Sequence, residues 1–121
     1  MAKEKAPERR VQKIILEYLR GLPESWWIKA ISIRKGVPDI IGCYKGRFVA
    51  FEVKAEDGKV TEIQEEQIKR IRAANGYAFI VTSLGGTKTA IQCIQQIDEQ
   101  LHRVYKERLR KFIATWNGKN R

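Results

Sequence analysis

The chain has 121 residues, and its 24 lysines and arginines outnumber 14 aspartates and glutamates, which gives a formal net charge of +10. This length allows one hydrophobic core, so a single domain over residues 1–121 is expected, and the charge favours a polyanionic partner, most simply nucleic acid, although basic tails and ribosome-associated proteins share it. A single histidine, His102, without cysteines at ligand spacing excludes zinc fingers and two-histidine metal centres, and no Gly-x-x-x-x-Gly-Lys phosphate loop is present.

The two cysteines, Cys43 and Cys93, lie far apart in apolar segments. This pattern indicates reduced, buried thiols rather than a disulfide framework. No apolar run reaches membrane length and no secretory signal is recognisable, so we expect a cytoplasmic protein without a membrane partner.

The first half of the chain reads as one helix followed by three strands. Pro7 suits the first position of a helix, and apolar residues then recur at helical spacing as far as Gly21: Val11, Ile14, Ile15, Tyr18 and Leu19. Strands are predicted over about 26–33, 38–44 and 47–54. The last two strands are joined by the short Lys45-Gly46 turn, which makes them an antiparallel hairpin.

The second half begins with a helix and a buried strand. Thr61 with Gln64 three residues later is a capping-box pattern, and Asn75-Gly76 predicts the end of that helix. The run 77–82 is almost continuously apolar, which is typical of a strand buried on both faces. Because a helix separates it from strand 47–54, the two strands should pair in parallel. The predicted order is α-β-β-β-α-β with a mixed four-stranded sheet.

A long C-terminal helix is predicted next. No helix breaker occurs between Thr87 and Trp116, and a near-heptad apolar stripe runs through Ile91, Ile94, Ile97, Leu101, Val104, Leu109, Phe112 and Trp116. About 30 helical residues span roughly 45 Å, more than a four-stranded core covers. One interpretation is a dimer arm whose basic face contacts DNA, because residues 103–121 hold seven basic residues and one acidic residue. The alternative is a helix that breaks near residue 100 and folds back on its own domain.

Two carboxylates and one ammonium interrupt the apolar strands. Asp39 begins one strand, and Glu52 and Lys54 share one face of the next because strand side chains two positions apart point the same way. Across an antiparallel pair, Asp39 can approach Glu52, and two such acids favour a hard divalent cation between them. Lys54 would add positive charge beside the reacting phosphate. A Glu-x-Lys sequence alone is more often a structural ion pair, and the preceding Gly36-Val37-Pro38-Asp39 shifts that balance.

Three blocks follow one another in order: Gly36-Val37-Pro38-Asp39, Phe51-Glu52-Val53-Lys54-Ala55 and Gly58-Lys59-Val60-Thr61-Glu62-Ile63-Gln64. With the order of elements, they resemble the VRR-Nuc family of the PD-(D/E)XK nuclease superfamily over about residues 7–98, which leaves 99–121 as a basic helical extension. The resemblance implies a restriction-endonuclease-like α/β fold. It also implies a phosphodiesterase centre that uses Mg²⁺ or Mn²⁺ and no small-molecule cofactor. Asp39, Glu52 and the Val53 backbone carbonyl would hold the metal, and Lys54 would assist the nucleophile.

The family also places an acidic residue on its first helix and a glutamine on the helix after the lysine. Glu8 matches the first better than Glu17, since it also falls within the apolar arc of the helix; it would serve as a further catalytic residue and metal ligand. Gln12 flanks the same arc and either orients Glu8 or is solvated. Gln64 either caps its own helix at Thr61 or faces the metal centre, and both roles can hold together.

The resemblance implies a structure-selective endonuclease, a bacterial or phage-type protein that cuts branched DNA such as four-way junctions or flaps. A homodimer would provide two active sites for the two strands. The predicted DNA-binding residues are Arg34, Lys35, Arg9, Arg10, Arg103, Lys106, Arg110 and Lys111. The alternatives are a basic nucleic-acid-binding protein without turnover, whose binding would survive EDTA, and an RNA-directed nuclease.

Overall fold

The computed structural model describes residues 5–30, 34–97 and 99–119. Its elements in chain order are α1 (Lys5–Arg20), β1 (Ser25–Lys29), β2 (Ile40–Tyr44), β3 (Arg47–Val53), α2 (Glu62–Ala73), β4 (Tyr77–Val81), α3 (Leu84–Gln95) and α4 (Glu99–Lys119). The predicted α-β-β-β-α-β order is confirmed. The predicted continuation of the first strand over 31–33 lies outside the described residues. The side chains of Leu101, His102 and Trp116 also lie outside them.

The four strands form one mixed sheet in the order β1-β2-β3-β4. β1 and β2 pair antiparallel, as do β2 and β3, whereas β3 and β4 pair in parallel. The β2–β3 turn places both Lys45 and Gly46 at positive φ, 51° and 82°. These values are those of a type I′ turn, whose twist matches that of the two strands. The hairpin and the parallel crossover predicted from the sequence are both confirmed.

The main core lies between one face of the sheet and the helices α1 and α3. Alternate residues of β3, namely Val49, Phe51 and Val53, are fully buried there. Trp27 packs against Gly42 on the neighbouring strand, and a Cβ atom on Gly42 would come within 2.4 Å of the Trp27 ring. Glycine at this position is therefore a packing requirement rather than a turn residue.

The opposite face of the sheet is covered by α2 over β3 and β4, where Ala50, Ala78 and Ile68 form a second, smaller core. Further out, Cys43 pairs in register with Trp26 on one side and Phe48 on the other, and all three are exposed. Cys93 is exposed on α3. The prediction of buried thiols is wrong, because both cysteines occupy the outward-facing position within an otherwise apolar segment.

The C-terminal region consists of two helices, so the prediction of an unbroken helix from Thr87 to Trp116 is wrong and the predicted break near residue 100 is confirmed. α3 buries Ile91 and Ile94 in the main core and ends at Gln95, and the long helix α4 begins at Glu99. α4 contacts the rest of the chain through an ion pair between Lys106 and Glu24. Within the described part of the chain, no helix is both long and apolar enough to cross a membrane.

Candidate active site

The two predicted metal-binding carboxylates lie opposite each other on adjacent strands. Ile40 pairs with Phe51, so Asp39, the residue before Ile40, comes level with Glu52. The Asp39 Oδ2 atom accepts a hydrogen bond of 2.8 Å from the backbone N–H of Val53. This bond fixes the Asp39 carboxylate at the end of β3, on the strand that carries Glu52.

A tight turn delivers Asp39 to this position. The backbone N–H of Val37 donates to the carbonyl of Arg34 at 3.2 Å, and Gly36 within that turn has a φ of +87°. A Cβ atom on Gly36 would lie 2.3 Å from the Ile63 side chain and 2.9 Å from its carbonyl oxygen. The turn therefore packs directly against the first turn of α2. Glycine is required at position 36 because of the positive φ and because the backbone lies so close to Ile63.

The Glu52 side chain is only 2% exposed, although a glutamate exposed to water is charged at neutral pH. Its Oε2 atom lies 3.3 Å from the Lys54 ammonium and accepts from Gln64 Nε2 at 3.1 Å. Its Oε1 atom is buried without a hydrogen-bond partner among the described residues. Burial, and secondly the negative charge of Asp39, raise the pKa of Glu52 from 4.5 to about 7, while Lys54 opposes that change.

Gln64 has both of the roles that the sequence left open. Its backbone N–H donates to Thr61 Oγ1 at 3.2 Å, and its side-chain Oε1 accepts from the Thr61 backbone N–H at 3.0 Å. The other end of the same amide, Nε2, donates to Glu52. The capping box of α2 therefore also orients the amide that faces the buried carboxylate.

Glu8 contacts the chain just after Lys54, next to the strand that carries Glu52. Its Oε2 atom accepts from the backbone N–H of Ala55 at 3.4 Å, which ties the start of α1 to the residue after Lys54. In the part of the chain that the structure describes, no three His, Cys, Asp or Glu side chains form a metal-binding group. The carboxylate pair is Asp39 and Glu52, and the role of Glu8 as a further metal ligand stays a prediction.

The pair is chemically suited to a hard divalent cation. The available side-chain donors are carboxylate oxygens, the ligand type that Mg²⁺ and Mn²⁺ prefer. The unpartnered Oε1 atom of Glu52 and the raised pKa of this group both indicate a buried acid whose charge Lys54 compensates only in part. The residues present therefore fit the metal that the VRR-Nuc resemblance implies.

The predicted DNA-binding residues occupy three separate places. Arg34 and Lys35 are exposed in the turn before Asp39, and Arg9 and Arg10 are exposed in α1. The remaining four are exposed on α4: Arg103, Lys106, Arg110 and Lys111. Two of the α4 residues form ion pairs with glutamates, Lys106 with Glu24 and Arg110 with Glu107. The α4 group is therefore partly neutralised within the chain itself.

Sequence reasoning missed two further basic residues near the site, Lys13 and Lys29. They line a cavity of about 250 Å³ between α1 and the edge strand β1, here called the α1/β1 cleft, together with Arg9, Gln12, Leu16 and Ile40. The four-residue spacing of Arg9 and Lys13 places both on one helix face, which is visible in the sequence. Lys29, however, joins that face only once β1 has packed beneath α1.

Comparison with known proteins identifies the family and the fold. The family model described as archaeal Holliday junction resolvase (Hjc) matches residues 29–114. A solved structure called "VRR_NUC domain" is 28% identical, with a TM-score of 0.62, over 71% of this chain and 95% of that one. A second, called "VRR_NUC domain protein", is 17% identical with a TM-score of 0.58 over 76% and 88%, and supports the fold alone.

No sequence match was found among curated proteins. The predicted VRR-Nuc resemblance and the restriction-endonuclease-like fold are nevertheless confirmed by the two solved structures. The family model spans well over half of the chain, from the end of β1 into α4, and so includes Asp39, Glu52, Lys54 and Gln64. The chain belongs to the archaeal Holliday junction resolvase family, a nuclease family of the PD-(D/E)XK type.

Proposed function

We propose that this protein is a divalent-metal-dependent endonuclease that hydrolyses phosphodiester bonds in branched DNA, with four-way junctions as the preferred substrate. One observation carries the proposal: buried Glu52, with an unpartnered oxygen, lies opposite Asp39 and beside the Lys54 ammonium. A purely structural Glu–Lys pair has no need of a second carboxylate that raises the pKa of the first. The branched substrate is taken from the family to which the chain belongs.

The site residues have distinct roles in this proposal. Asp39, Glu52 and the Val53 carbonyl would hold Mg²⁺ or Mn²⁺, which when bound neutralises the two acids and polarises the scissile phosphate. Lys54, 3.3 Å from Glu52, places a positive charge beside that phosphate and stabilises the negative charge that develops on its oxygens. Gln64 holds Glu52 in position through the hydrogen bond from its Nε2 atom.

Glu8 and the basic residues would act around this centre. Glu8 lies next to Lys54 through its contact with Ala55, where it can serve a second ion or orient a water molecule. Arg34 and Lys35 are exposed in the turn that leads to Asp39. They would therefore lie close to a phosphate that is bound at the carboxylate pair. Their charge, within a net charge of +10, would attract the DNA backbone.

The proposed active form is a homodimer. Each chain carries one carboxylate pair, whereas cutting two strands of a four-way junction requires two such centres related by symmetry. The described part of α4 leaves an apolar stripe exposed, made of Val104, Leu109, Phe112 and Ile113. A second copy of the chain would cover this stripe and bring the two active sites into one complex.

The proposal is tested with a panel of labelled substrates. Duplex DNA, single strands, flaps, splayed arms, four-way junctions and an RNA duplex of equal length are incubated with Mg²⁺ or Mn²⁺ and resolved by strand. We expect cleavage of branched DNA that EDTA abolishes. Asp39→Asn and Lys54→Ala should each lower the rate by about 10²-fold or more, because each removes charge that acts on the transition state.

Glu66→Gln is the matched control, since Glu66 pairs with Arg70 on the exposed surface of α2 and should leave cleavage unchanged. Binding of the junction in Ca²⁺ should persist in Asp39→Asn. If manganese supports no cleavage of any substrate, or if Lys54→Ala cuts at the wild-type rate, the hydrolytic function is wrong. Cleavage of RNA in preference to every DNA substrate would replace the proposed substrate.

A further inference from the structure

We propose that the α1/β1 cleft is a phosphate subsite, which binds a phosphate adjacent to the scissile one on the cleaved DNA strand. Its binding residues are Arg9, Lys13 and Lys29. The proposal rests on the nuclease function above, and it assigns a specific position on the substrate to side chains that the metal centre does not use.

The cleft combines cations with an apolar floor. Arg9 and Lys13 lie one turn apart on α1, and Lys29 enters from the end of β1 on the same face of the sheet as buried Trp27. Leu16 and Ile40 form the floor. The volume of about 250 Å³ is ample for a phosphodiester group, given that a water molecule takes up about 30 Å³. An apolar floor strengthens the attraction between the cations and a phosphate by lowering the local dielectric constant.

Among the residues that the structure describes, none neutralises the charges in the cleft. No described carboxylate lines it, and none of the three cations forms an ion pair with another described residue. On α2, by contrast, Lys69 pairs with Glu65 and Arg70 pairs with Glu66. Three like charges around one cavity repel one another, so an anion that enters the cleft relieves this repulsion.

Both walls of the cleft are attached to the ends of the strands that carry the carboxylates. On the β1 side, the backbone N–H of Ala30, next to Lys29, donates to the Asp39 carbonyl at 2.8 Å. On the α1 side, Glu8 precedes Arg9 and accepts from Ala55. Ile40 on the floor directly follows Asp39. The cleft lies on the α1 face of the sheet, and Asp39 and Glu52 lie on the α2 face at the same strand ends. A DNA strand that crosses this end of the sheet can therefore place one phosphate at the two carboxylates and a neighbouring phosphate in the cleft.

The test uses neutral methylphosphonate groups, which remove the charge of one phosphate at a time. A set of four-way junctions carries this change at successive positions along one strand around the branch, and binding is measured in Ca²⁺. Wild-type protein should lose affinity, on the order of tenfold, at the position that the cleft binds. The double variant Lys13→Ala/Lys29→Ala should bind the unmodified junction more weakly and should show no further loss at that position.

Salt dependence provides a second measurement. Loss of one bound phosphate should reduce the slope of log affinity against log salt concentration by about 1 in the double variant. The control is Lys69→Ala/Lys88→Ala, which removes the same charge from α2 and α3 and should retain the wild-type response to methylphosphonate. Circular dichroism and thermal melting confirm that both variants are folded.

The outcomes separate this proposal from the proposed function. If the double variant keeps the wild-type salt slope and still responds to the same methylphosphonate, the cleft is not a phosphate subsite, whether or not the protein cuts DNA. If wild-type protein loses affinity at no single position, the subsite is also excluded. If the subsite is found but no substrate is cleaved in Mg²⁺ or Mn²⁺, the hydrolytic function alone fails.

Discussion

Glu52 is a carboxylate buried away from water, which costs the fold stability. A carboxylate removed from water favours its neutral form, and a second carboxylate nearby adds to this preference. Both effects act on Glu52, whose pKa is raised to about 7 by burial and then by Asp39. Lys54 and Gln64 compensate only one of its two oxygens. A cation at the other oxygen would remove the remaining penalty.

Glu52→Gln should therefore stabilise the metal-free protein while it abolishes cleavage. The folded pKa lies above the ordinary value of 4.5, so the folded state holds the proton more tightly and wild-type stability falls as pH rises from about 4.5 to about 7. The difference between the two pKa values corresponds to roughly 3 kcal/mol of lost folding stability at pH 8. Urea unfolding in EDTA at pH 5 and pH 8 measures it as the difference between variant and wild type.

That difference should be small at pH 5 and larger at pH 8. Gln is suitable because its amide oxygen can still accept from Gln64. Glu66→Gln, on the surface of α2, should show little pH dependence of the same difference. A Glu52→Gln variant that is less stable than wild type at pH 8 would contradict the conclusion that the buried Glu52 carboxylate destabilises the metal-free protein.

Gln64 combines two functions that two substitutions can separate. Thr61→Ala removes the hydroxyl that accepts from the Gln64 backbone N–H but leaves the bond from Gln64 Nε2 to Glu52. Gln64→Ala removes that bond to Glu52 together with the other half of the capping box, the bond from the Thr61 N–H to Gln64 Oε1. Each should cost about 1 kcal/mol of stability, the usual value of a helix cap. Only Gln64→Ala should weaken the apparent affinity for the metal, by about tenfold or more, because it releases a ligand from its supporting hydrogen bond. Equal metal dependence of cleavage in the two variants would limit Gln64 to capping.

At the scale of elements, the turn before β2 couples α2 to the carboxylate pair. Gly36→Ala should cost about 1–3 kcal/mol for the positive φ alone, and contact with Ile63 adds to that cost. To relieve the contact between the new Cβ atom and Ile63, the turn must move, and Asp39 moves with it. The cleavage rate should therefore fall by more than the decrease in the folded fraction explains. Gly46→Ala is the matched control, because Gly46 has a φ of 82° at the far end of the sheet. Comparable cleavage by the two variants, at equal folded fraction, would disprove the coupling.

The sequence predicted the elements whose order and spacing permit few alternatives. A two-residue turn forces an antiparallel hairpin, and an intervening helix forces a parallel pair, so the positions of Asp39 and Glu52 followed from pairing alone. The sequence left open whether the C-terminal helix is continuous or breaks near residue 100, because the apolar stripe continues through the break without a glycine or proline. The end of α3 is set instead by tertiary contacts, such as the bond from Gln95 to the Tyr44 hydroxyl.

Features formed by two elements together were also beyond the sequence. The α1/β1 cleft exists only once Lys29 at the end of β1 lies beneath Arg9 and Lys13. The exposed cysteines were misassigned for the same reason, since an apolar segment does not show which of its faces the fold covers. Cys43 lies in register between Trp26 and Phe48, on a part of the sheet that α2 does not cover.

At the scale of the whole molecule, the described residues include two separate exposed apolar surfaces that a second copy of the chain could cover. The first is the α4 stripe, where Leu109 and Phe112 are 59% and 66% exposed. The second is the outer face of the sheet, where Trp26 and Phe48 are 60% and 45% exposed. Exposed apolar patches of this kind often mark interfaces between proteins. The proposed dimer uses the α4 stripe, since the basic face of α4 would then lie along the DNA.

Leu109→Ser/Phe112→Ser should therefore convert a dimer, twice the chain mass of 14.0 kDa, into a monomer, as measured by light scattering. Because the carboxylate pair lies within one chain, the monomer should still nick branched DNA but should lose paired incision of two strands. Trp26→Ser/Phe48→Ser removes a similar apolar area and should leave the mass unchanged. If the second variant is monomeric and the first is not, the dimer forms through the sheet. The two active sites would then be held by the β1–β3 face, and α4 would be free to bind DNA alone.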